Sequence, residues 1–179
     1  MPIRYTRAIQ GRVTPELASR LERSLGEFPE LGGRTITVGR TRRFEGIAVP
    51  GSMLIRLRLR RLRPVSYFTI GHELMHLLQS EGLGLVPSGE VQCDVWTLAR
   101  SPLFLDDQPS YLCGRLWSGG TWPLHAPRVR ELCLQAIELR KTNRRYLSWL
   151  QRAVIDELRI GLGIRPIRTD PSGSARGAT

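Results

Sequence analysis

The chain has 179 residues, 41% of them apolar, which is enough for one domain with an ordinary hydrophobic core. It contains no run of about 18 apolar residues and no apolar signal region at its start, so we expect a cytoplasmic protein without a membrane span. The formal net charge of +11 favours acidic partners, and nucleic acid is one such partner.

The first part of the chain predicts a helix followed by a small sheet. Residues 14–16, Thr-Pro-Glu, are a typical helix start, with an N-cap residue, a proline at N1 and an acidic residue in the first turn. An apolar stripe at helical spacing follows and predicts a helix that backs the core. Three later segments have the composition of strands: residues 35–38, 46–49 and 52–59. Pro50-Gly51 predicts a turn between the last two.

A second helix carries the most informative motif. Ser66 is a suitable N-cap, and the apolar residues that follow predict a buried helix over residues 67–79. Within it, residues 72–76 read His-Glu-x-x-His. Side chains four positions apart share one face of a helix, so His72 and His76 can bind one metal ion, and Glu73 can reach a water on that ion. This pattern is typical of zinc peptidases.

A catalytic zinc ion needs a third protein ligand and an open fourth position. Glu90 is the better candidate, because the Gly- and Pro-rich residues 81–89 allow the chain to reverse and Ser88 can cap a second helix that starts beside Glu90. Asp94 lies one turn further on the same face and can orient a ligand histidine. His125, far downstream in a Pro-rich segment, is the alternative third ligand.

These two motifs, His-Glu-x-x-His at residues 72–76 and Glu-x-x-x-Asp at residues 90–94, resemble the gluzincin zinc metallopeptidases, and most of all the short minigluzincins. The resemblance covers roughly residues 12–105. It implies one Zn²⁺ per chain held by His72, His76 and Glu90, with Glu73 as the catalytic general base and acid and Asp94 as the residue that orients a ligand histidine. It also implies a zymogen-like latency, in which a segment of the chain blocks its own cleft.

The predicted fold class is therefore α+β, with a minimal zincin-like core of backing helix, small mixed sheet, zinc helix and glutamate helix, and a mainly helical C-terminal extension. The predicted divisions are the catalytic core, an irregular cleft-side loop, a helical extension and a disordered tail, at residues 1–105, 106–127, 128–160 and 161–179. Trp117 and Trp122 either cover the cleft or anchor the loop. The helical extension has a possible break near Thr142-Asn143.

The predicted function is zinc-dependent hydrolysis of peptide bonds in a peptide or protein substrate, which is the reaction of a metalloendopeptidase. Tyr111, His125 and an arginine are candidate donors to the oxyanion. The alternatives are a degenerate zinc-binding protein without turnover, a nucleic-acid-associated protease and a basic binding module. The sequence does not predict the oligomeric state.

The sequence also suggests where substrate would lie. In gluzincins an edge strand borders the cleft and substrate adds beside it, so the resemblance implies that the last strand before the motif helix, residues 53–59, is that edge strand. Its Arg56 and Arg58 would then favour acidic substrate side chains. The three cysteines form no Cys-x-x-Cys pair, which argues against a zinc knuckle, and Cys93 is interpreted as a small buried apolar residue.

Overall fold

The computed structural model describes residues 2–80, 83–112 and 120–161. Within these ranges the chain forms, in order, one strand, two helices, three strands and four helices. The four strands make one mixed sheet, which confirms the predicted α+β class. The more specific expectation of a zincin-like core stays a prediction. None of the described helices is long and apolar enough to cross a membrane.

The sheet has its strands in the order β1-β2-β4-β3, where β1 is Ile3–Tyr5, β2 Ile36–Arg40, β3 Gly46–Val49 and β4 Leu54–Leu57. Strands β1, β2 and β4 run parallel, and β3 pairs antiparallel with β4. The prediction that residues 53–59 form the edge strand beside the cleft is wrong, because β4 is hydrogen-bonded on both sides. The edge strand that borders the cavity beside the motif helix is β3, and the opposite edge of the sheet is β1.

Two helices precede β2: α1 (Arg7–Gln10) and α2 (Pro15–Gly26). The Thr14 side chain accepts a hydrogen bond from the backbone N–H of Leu17, which confirms the predicted helix start. The apolar face of α2 packs against the motif helix and is buried in the first of two hydrophobic clusters. The predicted backing helix is therefore present.

The motif lies on α3 (Tyr67–Leu78), which is buried along most of its length. Ser66 caps the helix by accepting from the N–H of Thr69, as predicted, and Asp106 accepts from the first two N–H groups of the helix. Gly71 lets α3 approach its neighbours closely: a Cβ there would lie 2.8 Å from the Phe104 ring and 2.9 Å from Thr97. The position immediately before His72 therefore requires glycine for packing.

The second site helix is α4 (Glu90–Arg100), which packs along α3. Its N-cap is Gly89 rather than the predicted Ser88, and no side chain caps it. Gly89 has φ +111°, a backbone conformation that glycine adopts readily, so the chain turns into the helix one residue later than the sequence suggests. Glu90 is the first residue of the helix.

The last two described helices are α5 (Trp122–Leu139) and α6 (Tyr146–Gly161), which pack on α4 and on each other around the second hydrophobic cluster. The gap between them confirms the predicted break. The prediction that the irregular loop extends to residue 127 is wrong, since α5 begins at Trp122, with Pro123 as its second residue in the first turn, where proline is tolerated. Trp122 is buried and donates its indole N–H to the Leu105 carbonyl at 2.8 Å, so it anchors this segment. Cys113, Trp117 and the predicted tail from residue 162 onward lie outside the described residues.

Candidate metal centre

The two motif histidines lie one turn apart on α3, beside the start of α4. Their ring centroids are 4.9 Å apart and the rings are nearly perpendicular, at 81°. The Glu90 carboxylate contacts both: its Oε2 atom is 3.0 Å from Nε2 of His72 and 3.1 Å from Nε2 of His76. The structure thus brings together the three residues that the sequence predicts as ligands.

The other ring nitrogen of His72 faces Asp94. The distance from Nδ1 to Oδ1 is 2.9 Å, a close ion-pair contact that falls short of hydrogen-bond geometry. Asp94 is fully buried, and its Oδ2 atom accepts from the backbone N–H groups of Tyr111 and Leu112 at 2.6 and 2.8 Å. Asp94 is therefore fixed from two sides and holds His72 with Nε2 directed towards Glu90.

The other ring nitrogen of His76 faces Gln79, whose Oε1 atom is 2.9 Å from Nδ1. Gln79 also donates its amide N–H to the carbonyls of Pro87 and Gly89, at 2.5 and 3.1 Å. It therefore orients His76 and ties the end of α3 to the segment that leads into Glu90. Gln79 belongs to neither sequence motif; its position three residues after His76, one helical turn away, is the signal that identifies it.

Cys93 lies against the same histidine. Its Sγ atom is 3.2 Å from Nδ1 of His76, and His72, His76 and Cys93 offer ligand atoms that all lie within 4.8 Å of one another. This buried group could hold a metal ion. Cys93 is fully buried in the first hydrophobic cluster, which agrees with its interpretation as a small buried apolar residue. It is also a potential metal ligand.

The distances around Glu90 fit a metal ion as well. Two atoms bound to one tetrahedral ion at about 2.0–2.1 Å lie roughly 3.3 Å apart, close to both contacts between Glu90 and the histidines. Gln79 and Asp94 occupy the Nδ1 sides of the two rings, which leaves both Nε2 atoms facing the Glu90 carboxylate. Cys93 lies on the Nδ1 side of His76. The set with Glu90 therefore uses the two Nε2 atoms, for which Glu90 is the hydrogen-bond partner found among the described residues.

The charges around His72 favour its protonated form when no metal is bound. Burial lowers the pKa of His72, but contact with Asp94 and the negative charges of Asp94, Glu73 and Glu90 outweigh it, so the pKa is raised. Burial raises the pKa of the Cys93 thiol, and the same three carboxylates raise it further. In the metal-free chain the imidazole therefore tends to carry a proton and the thiol keeps its own.

Glu73 is buried, with 6% of its surface exposed, and lines a cavity beside the two histidines. Burial raises its pKa to about 7; the charge of Glu90 adds to this rise, and that of His72 opposes it. Across from it, Gly46 on β3 leaves room for this side chain. A Cβ at position 46 would lie 2.2 Å from Oε1 of Glu73. The sequence gives no sign of this approach, because the two residues are far apart in the chain.

The cavity has a volume of about 520 Å³ and lies between α3, the edge strand β3 and the segment around Tyr111. Both histidines, Glu73 and Glu90 contribute to its wall, so the candidate metal centre faces open space. The remaining lining residues are Phe44, Glu45, Gly46, Ile47, Ala48, Pro50, Thr69, Ser110 and Tyr111.

The other two candidate site residues, Tyr111 and His125, lie in different places: Tyr111 lines the cavity and His125 does not. The Tyr111 ring stacks on His72 with centroids 5.8 Å apart, lines the cavity and is half exposed. Burial raises the pKa of Tyr111, as do the nearby carboxylates, so its hydroxyl keeps its proton. His125 lies on α5 with Nδ1 3.7 Å from Oε1 of Glu157, and it is not among the lining residues. The structure thus does not bring His125 to the motif, and the alternative of His125 as third ligand is wrong.

Comparison with known proteins adds no family: no family model, no curated protein and no solved structure matches this chain.

Proposed function

We propose that this chain is a zinc metallopeptidase of the gluzincin type, which hydrolyses internal peptide bonds. The observation that supports the proposal most is the position of the Glu90 carboxylate, with one oxygen within 3.1 Å of Nε2 of both motif histidines. An imidazole pair with a carboxylate is a donor set of catalytic zinc sites, in which the fourth position stays open. Here that position would face the cavity.

His72, His76 and Glu90 would hold the zinc ion, and Asp94 and Gln79 would orient the two imidazoles. When bound, zinc polarises the scissile carbonyl and makes a water molecule acidic enough to attack at neutral pH. Glu73 accepts the proton of the attacking water on a carboxylate oxygen and donates it to the leaving amine. A base with a pKa near 7 can do both. Tyr111 is the candidate oxyanion donor that lines the cavity.

The cavity also suggests how a peptide would lie. β3 is the edge of the sheet and contributes Gly46, Ile47 and Ala48 to the cavity wall. An extended peptide can pair with the free side of such a strand, which would carry it past Glu73. A peptide bound along this strand could extend in both directions from the cleavage point, as cleavage inside a chain requires.

The first test combines metal analysis with cleavage of an unstructured protein substrate. We expect one zinc ion per chain in the wild-type protein and its loss in His76→Ala, because one of three ligands is removed. Glu73→Gln should keep the zinc ion and lose hydrolysis by at least about 100-fold, since only the proton carrier changes. Glu131→Gln, at an exposed position on α5, is the matched control. Full activity in Glu73→Gln, or a wild-type protein that binds no metal, would contradict the proposal.

One observation favours a second candidate, a nucleic-acid-associated protease. β2 and β4 run parallel and end at one edge of the sheet, where Arg40, Arg42 and Arg12 lie close together. The neighbouring Arg12 guanidinium lowers the pKa of Arg40, and burial and Arg42 add to this effect. Crowded guanidinium groups suit phosphate oxygens. Cleavage stimulated by DNA and suppressed by salt would distinguish this candidate from a general peptidase.

A further inference from the structure

A second, smaller cavity of about 190 Å³ adjoins the one that contains the candidate metal centre. The two share Glu45, Thr69 and Ser110 in their walls, so they lie side by side. At about 30 Å³ for each water molecule, this volume holds roughly six waters, a space comparable with one long polar side chain. A peptide in the larger cavity could therefore direct one of its side chains into the smaller one.

The charged wall of this pocket consists of three arginines and two acids. Arg58 and Arg60 both donate to Glu45, Arg58 at 3.4 Å, and Arg63 donates to Asp107 at 2.6 Å. Three positive charges against two negative ones leave an excess of one. The pocket is therefore electropositive, although each arginine has a partner.

The acidic partners hold the guanidinium groups in position but use few of their donors. Each guanidinium has several N–H groups, and one nitrogen each of Arg58, Arg60 and Arg63 contacts a carboxylate here. Within residues 2–80, 83–112 and 120–161, the other side-chain donors of these arginines make no hydrogen bond, and they can bind a second anion. An arginine that is already fixed loses less conformational entropy when it binds.

The start of α3 also borders the pocket, but its backbone donors are already bonded. Asp106 accepts from the N–H groups of Tyr67 and Phe68, and Ser66 accepts from that of Thr69. Recognition of an anion would therefore depend on the arginine side chains. A guanidinium pairs with a carboxylate or a phosphate group in two-point geometry.

We propose that this pocket receives an acidic side chain of the peptide substrate, a carboxylate or a phosphorylated residue, and so sets a preference for acidic residues near the scissile bond. The proposal rests on the peptidase function proposed above. Of the two arginines in the predicted edge strand, Arg58 lines the pocket and Arg56 does not. The small volume of the pocket, and its position beside the cavity that contains the candidate metal centre, favour a peptide side chain over a nucleic-acid backbone.

The test measures peptide binding to the zinc-loaded Glu73→Gln protein, which should hold substrate without cleaving it. The probes are fluorescent peptide pools of random sequence, each with one fixed residue. A pool with fixed Glu is compared with one with fixed Gln, and a pool with fixed phosphoserine with one with fixed serine. We expect at least one acidic pool to bind about tenfold more tightly than its neutral partner, the size of one charge-assisted hydrogen bond. The affinity ratio is the affinity of an acidic pool divided by that of its neutral partner. The pair of pools with the larger affinity ratio identifies carboxylate or phosphate as the ligand.

Arginine variants locate the effect. Arg60→Gln and Arg63→Gln should reduce the ratio towards one, whereas Arg152→Gln, at an exposed position on α6, should leave it unchanged. Arg60→Glu should reverse the preference towards a pool with fixed lysine, which loss of folding would not do. Thermal melting of each variant identifies any that does not fold, and Arg60→Lys, which keeps the charge, should retain part of the ratio.

Equal binding of acidic and neutral pools, or a ratio that survives Arg60→Gln and Arg63→Gln, would overturn the proposal. A duplex DNA competitor that displaces the acidic pool only in proteins with Arg60 and Arg63 intact would assign the pocket to nucleic acid instead. The two proposals fail separately. Wild-type protein that cleaves no pool but shows the arginine-dependent ratio would refute the peptidase and retain the pocket; cleavage without the ratio would do the reverse.

Discussion

Glu90 and Cys93 compete for the role of third ligand, because each lies against His76 on a different side of the ring. Glu90 contacts Nε2, and Cys93 contacts Nδ1, which Gln79 also contacts. A thiolate ligand would have to lose a proton whose pKa is raised by burial and by the nearby carboxylates. A carboxylate oxygen such as that of Glu90 is a usual ligand of catalytic zinc. The side-chain chemistry therefore favours the carboxylate.

Single substitutions separate the two ligand sets. Glu90→Gln should weaken zinc binding by more than about 100-fold. Loss of a residue that only supports a ligand costs up to about 100-fold in affinity, so loss of a ligand should cost more. Cys93→Ser should change zinc affinity by less than about tenfold, because only a neighbour of His76 is altered. Competition with a chromophoric chelator measures both. The opposite result, a large loss in Cys93→Ser and a small one in Glu90→Gln, would make Cys93 the ligand.

At the scale of elements, the site depends on how closely β3 approaches α3. The absence of a side chain at Gly46 lets the strand pass beside Glu73, where a Cβ would come within 2.2 Å of Oε1. The base is thus confined between its own helix and the edge strand along which a peptide would bind. Residue 46 acts on the chemistry through Glu73 and is a positioning residue.

Gly46→Ala should therefore lower kcat by about 100-fold, as expected when a catalytic group is displaced by about 1 Å. Zinc content should stay at one per chain, since none of the ligands moves. Gly39→Ala on β2 is the matched control: its Cβ would lie 3.3 Å from Cγ of Arg56, a flexible side chain that can shift. Unchanged kcat in Gly46→Ala, or equal losses in both variants, would show that the strand does not position the base.

Local patterns predicted the helices of the site better than they predicted its sheet. Ser66 and the 72–76 motif lie within one helix and signal it directly. Strand β1 has only three residues, and it exists because Ile3 pairs with Ile36, a contact that no local pattern records. The start of α5 is missed because Pro123 and Pro127 resemble helix breakers, although Pro123 lies in the first turn, where a helix tolerates proline. The approach of Gly46 to Glu73 is likewise a property of the tertiary structure.

For the whole molecule, α4 joins the candidate metal centre to the C-terminal helices. Cys93 belongs to the first hydrophobic cluster and Val95 to the second. Gln92 accepts a buried hydrogen bond from the Tyr146 hydroxyl at 2.6 Å. Among the described residues, none from α5 or α6 lines the cavity. These helices therefore support α4 from behind, so their removal would expose its packed face. Their described part is poorly placed to act as the blocking segment of a latent enzyme.

The stability of the metal-free molecule should fall as the pH rises, because two buried site residues bind protons more tightly when folded. The pKa of Glu73 is raised from 4.5 to about 7, so folding gains from its protonation below pH 4.5 and loses that gain as the pH rises to about 7. The raised pKa of His72 acts in the same direction, since its contribution is lost as the pH rises through the folded-state value. The Glu73 contribution is on the order of 3 kcal/mol at most.

Zinc binding has the opposite pH dependence, because its ligands must be deprotonated. The rise in Tm on adding zinc should therefore be small near about pH 5 and large near about pH 8. In the metal-free protein, Glu73→Gln should raise Tm at about pH 8 and change it little at about pH 4, since it removes a buried charge that forms only at the higher pH. Differential scanning calorimetry with and without zinc measures both. A zinc-induced shift independent of pH would mean that the ion binds elsewhere, because burial and the carboxylates around His72 and Glu73 make these residues sensitive to protons.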